Sequence, residues 1–247
     1  MPYIKEVCVA GETIEVSKYY SVRYHPPGEK RQPRDKATSE AQKRVNQRKA
    51  AKNLRRLMNA NFKDGDLLVR LDFYKVSTPR GSIDMQEMIS KSLRKLRREL
   101  KKQDDKELKY IYVKEIGKRG GRHIHMVMNE CDLKLITKCW PYGGVHVDPL
   151  ISHGQYQKIA EYFIKYANKT EETEGELIGK RWYASRNLTK PRITKRVISA
   201  RKFNKDIREK KGYALDKESV VEGISEWSGY EYFSYTLIKT DKKGQGG

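Results

Sequence analysis

Gly120-Gly121-Arg122-His123-Ile124-His125-Met126-Val127-Met128-Asn129 is the stretch on which the fold turns. It reads as a buried strand with one unusual face. Side chains alternate along a strand, so Ile124, Met126 and Met128 share one side while His123 and His125 share the other. The two histidine Cα atoms then stand roughly 6.5–7 Å apart, close enough for both imidazoles to converge on one cation. By itself the pattern suits two half-buried, hydrogen-bonded histidines equally well, so the neighbouring segments decide its meaning.

The segment before it, Leu108 to Ile116, is again a strand, and Gly117-Lys118-Arg119-Gly120-Gly121 is the turn between them. A hairpin symmetric about Arg119 places Glu115 opposite His123, with Cβ atoms about 5 Å apart. That register completes a His123, His125 and Glu115 set, the ligand types of a divalent cation site. Without a companion site, Glu115 reads as an ordinary solvated strand glutamate.

Further upstream, Asn61 to Gly65 forms a turn. It leads into Asp66-Leu67-Leu68-Val69-Arg70-Leu71-Asp72-Phe73-Tyr74, the strongest strand of the first half. Residues 84–103 carry an apolar stripe at helical spacing (Met85, Met88, Ile89, Leu93, Leu96, Leu100), with seven Lys/Arg between Lys91 and Lys102. A second basic run, Lys30 to Arg56, holds eleven Lys/Arg against two acids. Ser39-x-x-Gln42 caps a helix within that run. Residues 1–24 read as a short strand pair around Gly11. Residues 136–149 read as a turn and a further strand, with His146 and His153 as surface or structural histidines.

Downstream, Gln155 to Lys169 has Tyr156, Ile159, Ala160, Phe163 and Ala167 within one helical stripe. Tyr162 and Tyr166 lie one above the other along its margin, with Lys165 and Lys169 further round. Amphipathic tyrosines capping a core, with lysines snorkelling beside them, would give the same pattern. Alongside a metal-like histidine pair the helix instead suggests phenols as nucleophiles, which need activation because a free phenol ionises near pH 10. Lys180 to Ile198 is rich in Lys/Arg with Trp182 and Tyr183 interleaved, which suits a DNA-contacting strand or loop. Residues 229–239 read as an edge strand or a late addition to the fold, and 241–247 as a disordered Gly-rich tail.

Composition bounds the function. Fifty-three Lys+Arg against 32 Asp+Glu give a formal net charge of +21, which points to a polyanionic partner, with nucleic acid foremost. Sixteen tyrosines against five phenylalanines suit a base-stacking surface. Three cysteines without CxxC spacing argue against a disulfide scaffold or a zinc finger. With no apolar run long enough to span a bilayer, a cytoplasmic protein without membrane attachment is expected. No GxxxxGK[ST] segment is present, so a separate helicase is expected to unwind any template.

His123-Ile124-His125 resembles the His-hydrophobic-His motif of HUH endonucleases. Tyr162-Phe163-Ile164-Lys165-Tyr166-Ala167-Asn168-Lys169 resembles the doubled Tyr-x-x-Lys signature of their two-tyrosine replication initiators. Leu67–Tyr74 stands where the family's first motif would lie. Ala60-Asn61-Phe62-x-x-Gly65-Asp66, Trp140-x-x-Gly143 and Ser185-Arg186-Asn187-Leu188-x-x-Pro191 add support. The resemblance extends over roughly residues 1–200 and is most specific over 60–170. It is similar in particular to the rolling-circle replication-associated proteins of bacterial plasmids and phages. Leu71-Asp72-Phe73-Tyr74 departs from it, since such proteins often carry a Leu-Thr pair there.

The resemblance implies an α+β, RRM-like HUH fold: a central, mostly antiparallel five-stranded sheet flanked by helices, with a basic N-terminal helix and a C-terminal extension. It implies one endonuclease domain over 1–240, with a core of about 60–200 and 1–59 as an N-terminal extension. His123, His125 and Glu115 would hold Mn2+ or Mg2+. Tyr162 would attack the scissile phosphate of single-stranded DNA at an origin hairpin, beside Lys165 and Lys169, leaving a 5′-phosphotyrosine. Tyr166 would be either the second nucleophile or a packing residue. A relaxase or transposase of the same fold and a non-catalytic RRM-like nucleic-acid-binding protein are the alternatives, with a metal-dependent hydrolase as a third reading that leaves the tyrosine–lysine helix unexplained.

Overall fold

A computed structural model describes residues 2–21, 40–104, 107–117, 120–151, 155–175, 179–225 and 228–240. In chain order the first half contains β1 (Tyr3–Ala10), β2 (Thr13–Tyr20), α1 (Glu40–Asn59), β3 (Leu67–Asp72), α2 (Ser82–Asp104), β4 (Tyr110–Ile116) and β5 (Arg122–Met128). The second half contains α3 (Leu133–Cys139), β6 (Val145–Pro149), α4 (Gln157–Glu174), β7 (Tyr183–Ala184), β8 (Arg192–Ile198), β9 (Tyr213–Ile224) and β10 (Glu231–Lys239). The protein is α+β, with two five-stranded antiparallel sheets, and it divides into two compact units: residues 45–189, and residues 1–44 with 190–247. Among the described residues no helix is long and apolar enough to cross a membrane.

The sheet of the 45–189 unit runs β6-β3-β5-β4-β7. Alternation on β5 sends Ile124, Met126 and Met128 into one core, where they meet Met85, Ile89, Leu93 and Leu96 of α2 and Leu135 and Ile136 of α3. The opposite face buries Ile111, Val113 and Val127 against Leu54 and Met58 of α1 and Ala160, Phe163 and Ile164 of α4. The histidines of β5 share this second face, so β5 places them on the side that α4 covers. Ile89 is 0% exposed and Phe163 2% exposed. Truncation to alanine should cost about 2–5 kcal/mol at Ile89 and about 3–5 kcal/mol at Phe163, through lost transfer energy plus an unfilled cavity.

The ends of the helices follow local chemistry. Asp132 caps α3 by accepting a hydrogen bond from the Lys134 amide, and α4 ends at Gly175, whose φ of 80° suits a residue without a Cβ. The described part of α1 begins at Glu40, and the expected Ser39 cap lies outside the described residues, as do His153 and the 241–247 tail. Helix α3 was not expected: the reading of 136–149 as turn and strand holds only for its second part, β6.

The second unit corrects the expectation of a single sheet. Its sheet runs β8-β1-β2-β10-β9, so the N-terminal strand pair is joined to strands from the far end of the chain. Strands β1 and β2 pair around Gly11 as read, with Ala10 opposite Thr13. Strand β10, expected at an edge, lies between β2 and β9. Ile14, Val16, Phe233, Tyr235 and Leu237 are buried at the centre of this unit, with Phe203 and Ile207 packed over them.

Candidate active site

Register aligns the polar side chains of four strands. His123 of β5 stands opposite Asp72 of β3 and Glu115 of β4, while His125 stands opposite Arg70 and Val113. The expected hairpin register is therefore the observed one. On the outer side of β3, Arg70 faces His146 of β6. All six polar groups project to the face covered by α4.

The end of β3 is held by the loop that follows α3. The indole of Trp140 donates to the Asp72 carbonyl at 3.0 Å, and the Asp72 amide donates to the Gly144 carbonyl at 2.9 Å. Gly143 passes so close that a Cβ there would stand 1.9 Å from the Asp72 carbonyl oxygen. Only glycine permits that crossing.

Two carboxylates organise the imidazoles. His125 Nε2 lies 2.7 Å from Glu115 Oε2, and Lys169 Nζ donates to Glu115 Oε1 at 2.5 Å. Burial raises the Glu115 carboxyl, but the hydrogen bonds from His125 and Lys169 outweigh it and bring the pKa down to about 2. The same contact raises the Lys169 ammonium above its ordinary range. His123 Nδ1 meets Asp72 Oδ1 at 2.7 Å, and His146 Nε2 meets Asp72 Oδ2 at 2.8 Å. Arg70 adds hydrogen bonds to both oxygens of Asp72, at 3.1 and 3.2 Å. Burial pushes the Asp72 carboxyl up, and the bonds from His123 and Arg70 bring it below its usual value.

Helix α4 is pinned to β4 by threonines. Thr170 Oγ1 accepts from the Ile116 amide at 2.9 Å and donates to the Lys114 carbonyl at 2.8 Å, while Thr173 donates to the Ile116 carbonyl at 3.0 Å. This docking sets Tyr166 flat against His125, with ring centroids 3.9 Å apart and planes 12° from parallel. Tyr162 follows one turn earlier, its ring 6.3 Å from that of Tyr166 and the side chain 55% exposed. Burial, then the Glu115 charge, raise the Tyr166 phenol above its ordinary pKa.

Six of the seven residues singled out from sequence thus gather in one place: His123, His125, Glu115, Tyr162, Tyr166 and Lys169. Lys165 lies on the exposed side of α4 and makes no ion pair among the described residues. Asp72, Arg70 and His146 were not singled out. The signal that could have found Asp72 was its place on the same strand face as Arg70, combined with Trp140-x-x-Gly143-Gly144, a pattern marking a close backbone approach.

Among the described residues no three His, Cys, Asp or Glu side chains stand as a formed metal site. The donor chemistry nevertheless suits a divalent cation. Two imidazoles and a carboxylate sit at adjacent register positions, and His123 has its Nδ1 held by a carboxylate, the usual support of a ligating histidine. Here Glu115 bonds to His125 and Lys169 instead.

The other motif residues are braces. The side chain of Asn61 donates to the Thr189 carbonyl at 2.8 Å and accepts from its amide at 2.7 Å. Asp66 receives the amides of Lys63 and Glu130 at 2.9 and 3.1 Å. Asn187 donates to the Leu108 carbonyl at 3.3 Å. These contacts tie loops to the sheet at the end remote from Asp72 and His123.

Residues 75–171 match the model of the family described as REP_ORF2-G2P, replication-associated protein ORF2/G2P. The match covers less than half of the chain, but it takes in Glu115, both histidines of β5 and both tyrosines of α4. No curated protein and no solved structure matches the chain.

Proposed function

We propose that this chain nicks and rejoins single-stranded DNA through a 5′-phosphotyrosine intermediate, as an HUH-type endonuclease initiating rolling-circle replication of a plasmid or phage. One observation carries the reading: an exposed phenol, Tyr162, continues a ring column from His125 through Tyr166, on the same sheet face as His123 and Glu115. The similarity of residues 75–171 to replication-associated proteins supports it, as does the net charge of +21.

His123, His125 and Glu115 would hold a divalent cation, Mn2+ or Mg2+, which when bound supplies Lewis-acid polarisation of the scissile phosphate. Tyr162 is the first nucleophile because it is open to solvent, whereas Tyr166 is stacked and its phenol harder to ionise. The Tyr162 oxygen forms a bond to phosphorus and gives its proton to water. The bond from phosphorus to the 3′ oxygen breaks, and that oxygen leaves with a proton as a free 3′-OH. One phosphodiester replaces another, so the energy of the bond is retained and a 3′-OH can reverse the step. Lys169 sets positive charge beside the developing negative charge, and Lys165 lies on the same helix to contact flanking phosphates.

The test is incubation of the chain with a library of hairpin-bearing single-stranded DNA and Mn2+, followed by denaturing electrophoresis. Detergent-stable adducts are expected, abolished by chelator and by Tyr162→Phe combined with Tyr166→Phe. Cleavage without adducts would overturn the tyrosine route. The Glu115–Lys169 ion pair, which already neutralises the carboxylate, favours a second reading as a non-catalytic nucleic-acid-binding protein. Retention of DNA without cleavage is the outcome that reading requires.

A further inference from the structure

The unit formed by residues 1–44 and 190–247 carries its own cationic pocket. Lys5 of β1 stands directly opposite Lys18 of β2 on one side and Arg196 of β8 on the other. Like charges facing each other across strands destabilise a sheet, so three in a row need a compensating partner. Lys202 and Arg208 close over them from the segment between β8 and β9, around a cavity of about 580 Å3. Among the described residues no carboxylate lies within ion-pair distance of any of the five. Lys18 is only 5% exposed, and its ammonium donates to the carbonyl and side-chain oxygens of Asn204, which carry no charge. Burial first, and then Arg196, Arg208 and Lys18, lower the Lys5 ammonium; burial likewise lowers that of Lys18, with only Asp206 acting against it. The pocket therefore contains buried positive charge that no carboxylate of the described residues contacts directly, Asp206 acting on it only at longer range.

Two residues along the same strand face lies an aromatic shelf. Tyr3 is opposite Tyr20, as Lys5 is opposite Lys18. Tyr20 and Tyr230 stack with centroids 3.6 Å apart, and Tyr3 meets both rings edge-on. Phe203 backs Tyr3 at 4.6 Å, which fixes the cluster, while Tyr230 remains 43% exposed. A pocket for negative charge beside an open aromatic ring matches one repeating unit of a single strand, a phosphate followed by a base.

We propose that this unit is a second nucleic-acid site, in which Lys5, Lys18 and Arg196 hold a backbone phosphate and the Tyr20–Tyr230 stack receives a neighbouring base of a single strand. The site does not rest on the nicking chemistry and stands whether or not residues 45–189 cut DNA.

The experiment uses the full chain in chelator, with fluorescent oligothymidylate as the probe and an abasic oligomer of equal length as its control. Lys5→Gln with Arg196→Gln removes charges that already repel, so the melting temperature should hold or rise. Affinity for oligothymidylate should fall about tenfold, and the slope of log affinity against log salt should shrink by about 1.4. Tyr230→Ala should weaken oligothymidylate roughly fivefold or more and leave the abasic oligomer unaffected. Unchanged affinity and slope in the double variant would overturn the phosphate pocket, and equal losses on the two oligomers in Tyr230→Ala would overturn the shelf. If the double variant loses retention on phosphatidylserine vesicles while oligothymidylate binding is unaltered, the pocket belongs to a lipid headgroup and the nucleic-acid assignment fails.

Discussion

The ring of Tyr166 lies flat on that of His125, 3.9 Å away and 12° from parallel. The contact joins the helix that carries the phenols to the strand that carries the imidazoles, and it fixes the plane of His125 independently of any ion. Removing the ring while keeping bulk, as in Tyr166→Leu, should free His125 and weaken Mn2+ binding roughly two- to tenfold, since such ring pairs contribute about 0.5–1.5 kcal/mol. Tyr166→Phe retains the stack and should leave Mn2+ affinity unchanged. Titration followed by the electron paramagnetic resonance of free Mn2+ reads both. Equal affinity in Tyr166→Leu would show that the stack does not orient His125.

Glu115 makes the stability of the 45–189 unit depend on pH. Its carboxyl is lowered from an ordinary value near 4.5 to about 2. A depressed carboxyl contributes its stability fully above the unfolded value, and that stability is lost as pH falls through the folded one. The full shift corresponds to about 3 kcal/mol, and screening of the half-exposed Lys169 reduces this to on the order of 2. Glu115→Gln should therefore be less stable than the parent at pH 7 by about that amount, with the gap closing between about pH 4.5 and 2. Urea denaturation at several pH values measures the difference. A gap that is constant with pH would mean the carboxylate is not held by His125 and Lys169.

Much of this site was legible because its geometry is local. The period of two on β5 separates His123 and His125 from Ile124 and Met126, and a short hairpin sets Glu115 opposite His123 without reference to the rest of the chain. Asp72 and His146 were opaque for the opposite reason. They join the histidines through β3–β5 and β3–β6 pairings that cross 51 residues between Asp72 and His123 and a loop after α3. The second sheet hid in the same way: β2 pairs with β10, and nothing near Ile14 or Val16 announces Leu237 or Tyr235. Helix α3 is seven residues long, too short for an apolar stripe to stand out from a turn.

The loop crossing at β3 predicts unlike behaviour from adjacent glycines. A Cβ on Gly143 would meet the Asp72 backbone at 1.9 Å, whereas one on Gly144 has its nearest neighbour, His146 Nε2, at 3.6 Å. Backbone cannot yield as a side-chain tip does. Gly143→Ala should lower the melting temperature by on the order of 10 °C, through a loss of roughly 3 kcal/mol or more. Gly144→Ala should shift it by a degree or two at most. Similar melting temperatures in the two variants would place the loop elsewhere.

Asp72 is the carboxylate that gathers the polar groups at the end of β3. Its carboxylate touches His123 Nδ1 at 2.7 Å and His146 Nε2 at 2.8 Å, and Arg70 bridges both oxygens. With Nδ1 engaged, His123 presents Nε2 as its remaining ring nitrogen. A carboxylate behind a ligating imidazole fixes the ring and raises its basicity, and its loss typically costs 10–100-fold in metal affinity. Asp72→Asn keeps the size and one acceptor but loses the charge, so Mn2+ binding should weaken roughly tenfold, in a chain that still folds with some loss of stability from the weakened Arg70 and His123 bonds. His146→Gln, which removes only the outer partner, should change Mn2+ affinity far less, because Arg70 and His123 still hold the carboxylate. If His146→Gln matched Asp72→Asn in its effect, His146 would be acting on the cation directly and Asp72 would not be the group that orients His123.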